Sequence, residues 1–463
     1  MTANASKPSR PGVIFWFRQD LRLHDQPALQ HALAQAQGLG GWFLPVYVHD
    51  QRLQALTAWG FKRIGPLRNA WWRMAVHELS NNLTAAGSQL IEAEGDPVTL
   101  LSQWADALGH PLVICEEIAA PEEQAQIDVL RRMGLPIETV WQSTLMSPAD
   151  LPFSPEEVPD RFTTFRQHLE NRGAVPTRPM PVIQTLPPRP PERVTQICRE
   201  MSPAVQAAKD LAPADLDRRA AFPFNQAAFG AGEKNALAHL KAYCRKGLPH
   251  TYKATRNGLF GLDYSSKWSP WLATGALSAR TAWAALSAFE SVQGASESSY
   301  WLFFELLWRD HFRWLHRKHG KRLYLACGLT DLPTPPHDPR AFLQWCRGET
   351  GHPFIDAGMK ELAATGYLSN RMRQNVASYL IHDLACDWRA GAAWFEACLI
   401  DYDVYSNQGN WLYLSGRGTD PRSSRRFNPD LQARNYDPDG KYQALWASDC
   451  SETHAHSDPC LPS

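Results

Sequence analysis

Five short apolar runs alternate with helical segments over the first third of the chain, and no convincing strand follows them. The first is VIFWF at residues 13–17, and strands are expected again at 43–48, 89–92, 112–115 and 137–141. An Ala-rich helix to about Gln37 and helices at 65–86, 98–108 and 121–133 separate them. Strands alternating with helices of about ten residues or more build βαβ units and a parallel sheet. Such sheets bind ligands beyond the carboxyl ends of their strands. No G-x-G-x-x-G follows the first strand, so the dinucleotide fingerprint is missing. Over 143–229 the periodicity dissolves, and the proline-rich stretch 176–191 reads as a semi-extended linker. Helical runs then occupy 232–246, 280–290, 299–319, 339–347 and 354–365.

The expected architecture is α/β plus all-α, a Rossmann-like parallel-sheet domain joined by a long linker to a helical domain. Its divisions are a flexible start at 1–11, the α/β domain at 12–142, the linker at 143–229, the helical domain at 230–446 and a disordered tail at 447–463. A length of 463 residues fits two or more domains. Acidic and basic residues balance at 47 each, so any nucleic-acid surface must be local. Nine cysteines without a C-x-x-C pair argue against a disulfide scaffold or a zinc site and fit a reducing compartment. The polar start MTANASKPSRPG lacks an apolar signal core, and no long apolar run follows. These features read as a soluble cytoplasmic protein. Eighteen tryptophans leave room for a stacking surface or an electron path beyond core packing.

Four segments concentrate chemistry. In 367–413, Asn370, Arg373 and Gln374 share one helix face, with an apolar stripe of Val376, Tyr379, Leu380 and Leu384 on another. A carboxylate-rich loop with Asp401, Asp403 and Asn407 follows, and Gly409 marks a turn. The reading is either a ligand cradle or a buried Arg–Asp network. In 251–278, Ser265, Ser266 and Ser269 precede a helix expected near Pro270, beside Tyr252, Arg256 and Lys267. Hydroxyls and free N–H groups there either hold an anion or simply cap the helix. In 300–318, Glu305, Trp308, Arg309 and Phe312 lie on one face. A Glu beside a Trp in a dry cleft has a raised pKa and can donate as the neutral acid; the alternative is a Glu305–Arg309 surface pair. In 415–428, Arg417, Arg422, Arg425 and Arg426 oppose only Asp420, which is either a phosphodiester contact or a solvated loop.

Together these segments resemble the photolyase/cryptochrome family of flavoproteins, and most closely its DASH branch. The phrases TRNGLFGLDYSSKWSPWLATG, FELLWRDHFRW, TGYLSNRMRQN, DYDVYSNQGNWLY and GTDPRSSRRFN carry the likeness, with FRQDLRLHDQPAL and STLMSPADLPF nearer the start. The resemblance implies FAD in the helical domain. Tyr252, Ser265, Ser266, Lys267, Trp268 and Ser269 would hold it, with Glu305, Arg309, Asn370, Arg373, Asp401, Asp403 and Asn407. It implies blue-light repair of cyclobutane pyrimidine dimers in UV-damaged DNA, preferentially single-stranded, by electron transfer from reduced flavin. The alternative is a photoreceptor that binds DNA or protein partners without efficient repair.

Catalytic roles would then fall to Glu305, Trp308 and Asn407, with Trp411 and Trp388 as electron relays. The relay's third position falls at about Pro335, leaving Trp345 or Tyr367 to substitute. DNA contacts would come from Arg256, Trp308, Arg371, Gln374, Tyr413 and Arg425. Asn370 and Gln374 stand where (6-4) repair enzymes carry His, which argues against that substrate. Glu117 matches a carboxylate that holds a methenyltetrahydrofolate antenna in related proteins. No metal is implied, and a monomer is expected.

Overall fold

A computed structural model describes residues 11–187, 189–203, 205, 216–420 and 425–447. The tail with His454 and His456 lies outside the described residues, as does Arg422. The strands are β1 (Gly12–Phe17), β2 (Trp42–Asp50), β3 (Ile91–Gly95), β4 (Leu112–Glu116) and β5 (Ile137–Val140). All pairings are parallel, in the order β3-β2-β1-β4-β5. Helices α1 (Pro27–Gly38), α2 (Pro66–Ala85), α3 (Pro97–Leu108) and α4 (Pro121–Arg132) join them, each opened by a proline that presets the first turn. β3 starts later than the expected 89–92, because pairing with β2 carries it on to Gly95 opposite Asp50.

β1 is buried along its whole length, and its period-two alternation feeds two cores. Val13, Phe15 and Phe17 pack toward the helical part, whereas Ile14 and Trp16 pack with β2, β4 and α3. The strand order reverses between β1 and β4, which opens a crevice at their carboxyl ends.

The stretch 143–229 is more than spacer. It contains α5 (Phe162–Asn171) and α6 (Glu192–Glu200), and its Phe222 and Phe224 rings pack edge-on against Trp71. α5 buries Phe162, Phe165 and Leu169, a helical spacing too short to stand out among the prolines. The helical part follows as α7 (Glu233–Arg245), α8 (Tyr252–Thr255), α9 (Ser269–Thr274), α10 (Ala279–Gln293), α11 (Glu297–His319), α12 (Pro339–Arg347), α13 (Pro353–Thr365), α14 (Asn370–His382), α15 (Trp388–Cys398), α16 (Val404–Ser415), α17 (Pro429–Tyr436) and α18 (Lys441–Ala447). Among the described residues, no helix is long and apolar enough to cross a membrane.

Charged groups, not only apolar ones, join the sheet to the helices. The loop after β1 crosses to α7, where Glu233 accepts from the N–H groups of Leu23 at 2.8 Å and His24 at 2.9 Å, and meets His24 Nδ1 at 2.6 Å. Asp25 is held by Arg280 at 2.9 Å and by the Ser278 hydroxyl at 2.5 Å. Burial alone would raise the Glu233 pKa, but His24 and the two backbone donors hold it below the ordinary carboxylate value. Its contribution is therefore complete above the unfolded-state pKa and is lost as pH falls through the lower folded one. Glu233→Ala strands three donors in a dry joint. The expected cost is about 3 kcal/mol, read as a lower denaturant midpoint at neutral pH and a smaller difference from wild type in acid.

Candidate active site

A cavity of about 420 Å³ opens among α9, α11, α14 and α16. One end is lined by Tyr252, Ser265, Ser266, Lys267, Trp268 and Ser269. The residue in the N-cap position before α9 is Trp268, and no side chain caps that helix. The serine hydroxyls are thus not spent on capping. Lys267 takes a left-handed φ of 57°, which turns its side chain inward. Its ammonium lies 3.5 Å from the centre of the Tyr264 ring and has no hydrogen-bond partner. Burial drives its pKa well below the ordinary lysine value, against the pull of Glu361 and Asp401.

The other end holds the Arg–Asp pairs. Arg373 and Asp401 meet at 2.8 Å, and Arg373 Nε donates to the Leu368 carbonyl at 3.0 Å. Burial would raise the Asp403 pKa, yet Arg313 and Arg309 hold it at about 2. Arg313 reaches Asp403 at 2.6 Å. Asp403 also caps α16 by accepting from Ser406 N at 2.8 Å. The expected carboxylate loop is therefore the start of a helix, and Asn407 lies one turn inside it. Gly409 is not a turn residue: it sits mid-helix because a Cβ there would fall 2.2 Å from the Phe312 ring. Arg309 does not pair with Glu305 as a surface helix would allow. It crosses to the Ser143 carbonyl at 2.5 Å, and burial beside Arg313 lowers its pKa to about 10.

At the mouth, Trp308 and Tyr413 stand at 75° with ring centres 6.0 Å apart. The Phe162 ring lies flat against Trp308 at 3.8 Å and fixes its plane. Glu305 meets Arg256 at 2.8 Å.

Two family models cover most of the chain. DNA photolyase matches residues 13–187, and the FAD binding domain of DNA photolyase matches 301–457. Cryptochrome DASH of Gloeobacter violaceus is 40% identical over 445 residues, 94% of this chain and 85% of that one. Cryptochrome DASH of Xenopus laevis is 40% identical over 458 residues, 96% and 84% of the two chains. The chain belongs to the cryptochrome DASH branch of the photolyase family. A crystal structure of a Synechocystis cryptochrome superposes with a TM-score of 0.84 at 38% identity, covering 95% of this chain and 89% of that one. A class III photolyase from Agrobacterium tumefaciens gives 0.74 at 28% identity, over 96% and 88%.

The cavity's donor set fits the FAD that this domain type carries. A buried lysine Nζ without an acceptor and three serine hydroxyls suit an anionic pyrophosphate. Asn370, Arg373, Asp401, Asp403 and Asn407 supply donors and acceptors for a polar ring edge, and Asp401 Oδ1 is buried without a partner.

Of the expected DASH site residues, Tyr252, Arg256, Ser265, Ser266, Lys267, Trp268, Ser269, Glu305, Trp308, Arg309, Asn370, Arg373, Gln374, Asp401, Asp403, Asn407, Trp411 and Tyr413 all line this one cavity. Arg371 and Arg425 stand just outside it. Arg371 donates to Gln374 at 2.9 Å and Asn257 at 2.8 Å. Arg425 stacks on Tyr413 at 4.3 Å and pairs with Asp420 at 2.9 Å. Arg417 and Arg426 do not join them. Arg417 is buried against the Ala326 carbonyl, and Arg426 pairs with Asp383.

The relay differs from expectation. Trp411 packs on Gly391 of α15, one turn from Trp388. Trp345 and Tyr367 are 0% and 4% exposed, so neither supplies a surface end. Trp388 lines a second cavity of about 530 Å³, between the β1 and β2 ends and α15, with Arg18, Arg63 and Arg68. Glu117 does not line it; it faces Arg317 at 4.0 Å. Sequence reasoning missed Arg313, although it lies one turn beyond Arg309. It also missed Phe162, whose partner is 146 positions away along the chain and carried no local signal.

Asp401→Ala leaves the Arg373 guanidinium buried without its carboxylate. A loss of about 3 kcal/mol of stability is expected, together with flavin released on gel filtration while the wild type stays yellow.

Proposed function

We propose that this protein repairs cyclobutane pyrimidine dimers under blue light, preferentially in single-stranded DNA. The observation that carries the reading is the aromatic corner of Trp308 and Tyr413, which opens onto the flavin-type cavity with a carboxyl at its lip. Two crosslinked bases have flat faces at an angle, and a right-angled pair of rings suits both. FAD, when bound, supplies light absorption and a transferable electron.

The chain's own groups do the rest. Phe162 stiffens Trp308, so the corner is preorganised. The corner, with Phe312 behind it, keeps water from the cavity floor. Burial raises the Glu305 pKa against the opposing charge of Arg256, so that a carboxyl relieved of that charge can hold a proton and donate it to a base carbonyl. Single-strand preference is supported by the modest grip of the rim. Arg256, Arg371 and Arg425 each already hold an internal partner, and the chain has no net charge. A duplex must also pay a few kcal/mol to extrude the dimer, which an unpaired strand does not. The second cavity, with Arg18, Arg63 and Arg68 in its wall, suits the carboxylates of a folate antenna through arginines rather than through Glu117.

The test is repair of a thymine dimer by anaerobically reduced enzyme, with single-stranded and duplex oligonucleotides side by side. Repair largely confined to the single strand is expected. Equal repair of both removes the strand preference. No repair, with flavin and DNA retained, points to a photoreceptor that signals without turnover. Glu305→Ala should keep its flavin and repair about tenfold more slowly, about 1.4 kcal/mol of barrier; unchanged repair removes the acid role.

A further inference from the structure

Two residues to which the repair reading gives separate tasks hold each other here. Arg256 is expected on a strand phosphate, and Glu305 is expected on a base. In the structure Arg256 Nη2 lies 2.8 Å from Glu305 Oε1. The same oxygen accepts from Trp301 Nε1 at 3.2 Å. The guanidinium also lies over the Trp301 ring, 5.5 Å from its centre. The pair sits at the open mouth, with 19% of the Arg256 side chain and 32% of the Glu305 side chain exposed. A phosphate can therefore reach Arg256 without unfolding anything.

From this geometry we infer that strand binding exchanges one anion for another on Arg256, and that Glu305 takes up a proton as the phosphate displaces it. The inference rests on the repair reading. Its physical basis is competition. A phosphodiester is a permanent anion, whereas a carboxylate can lose its charge when its cation leaves. Trp301 is the positioning residue: its ring holds the guanidinium and its N–H holds the carboxyl, so both stay in place during the exchange. The balance is simple. The Arg256–Glu305 ion pair breaks, an Arg256–phosphate pair forms, and solvent gives one proton to Glu305 Oε. That proton then donates to the base.

Among the described residues, the other nearby cations are engaged elsewhere. Lys253, also on α8, lies 4.8 Å from the centre of the Trp301 ring and is paired with Glu297, one turn before it. Arg309 on the same helix turns away to Ser143. Arg371 on α14 is bound to Gln374 and Asn257. Tyr252 of α8 faces Glu305 with its own pKa raised well above the ordinary value by burial, so it stays neutral. Burial pushes the Glu305 pKa up and Arg256 holds it down; removing the arginine's charge leaves burial unopposed.

The experiment uses the flavin-loaded protein and a single-stranded oligonucleotide with one thymine dimer. Calorimetric titration in buffers of different ionisation enthalpy counts the protons taken up. The sign is fixed: uptake on binding makes affinity rise as pH falls, by about tenfold per pH unit at most for one proton. Wild type should approach that slope, and Glu305→Gln should lose it. Arg256→Gln should bind more weakly and with a shallower slope, because its Glu305 is already partly protonated before DNA arrives. Infrared difference spectra should show a protonated-carboxyl stretch gained with DNA in wild type and absent in Glu305→Gln. Equal proton uptake by wild type and Glu305→Gln overturns this inference while leaving repair standing. Failure of the wild type to bind any oligonucleotide overturns both.

Discussion

Arg313 and Asp403 meet at 2.6 Å with 3% and 11% of their side chains exposed. That contact ties α11 to the first turn of α16, the two helices that form the cavity's far wall. Removing both charges from water is expensive, and the cost is recovered through their mutual pairing and the further hydrogen bonds that each makes, Arg313 Nη1 donating to the Arg309 carbonyl at 3.2 Å. Asp403 takes Arg313, Ser406 N–H and the field of Arg309. Arg309 in turn reaches Ser143, just beyond β5. One carboxylate thus fixes where a helix begins, how far α11 stands from it and how the sheet meets both.

The same logic recurs at the domain joint. Glu233 and Asp25 are buried acids whose partners come from the other side of the interface. Apolar burial supplies adhesion there, but it is not directional. The buried ions supply register, because a shift of a few ångströms would leave them unpaired. The cavity inherits its precision from these joints. Aromatic rings then set its mouth: Phe162 from the middle stretch braces Trp308, and Phe312 packs so closely on α16 that only glycine fits at position 409.

Much of this was legible in residue order. The five strands and the four helices between them follow from apolar periodicity, since a buried parallel strand must be apolar along its length. The face shared by Asn370, Arg373 and Gln374 follows from helical spacing, and all three residues line the cavity. Other features were not legible. Asp403 and Gly409 look like loop residues, because caps and turns use the same side chains. α5 and α6 were hidden by short length and surrounding proline. Arg417 looked like part of a basic surface patch, yet its guanidinium is spent on a buried carbonyl.

Local order along the chain therefore determined the two-part architecture, the strand and helix sequence, and which residue types gather at the flavin-type cavity. Tertiary structure alone decided the partnerships. It turned Arg309 from Glu305 to Ser143, gave Glu305 to Arg256, set Glu117 apart from the second cavity, and buried Trp345 and Tyr367. The reason is range. Backbone periodicity acts over a few residues, whereas a desolvated charge accepts whichever partner the fold brings within about 3 Å, however distant in sequence.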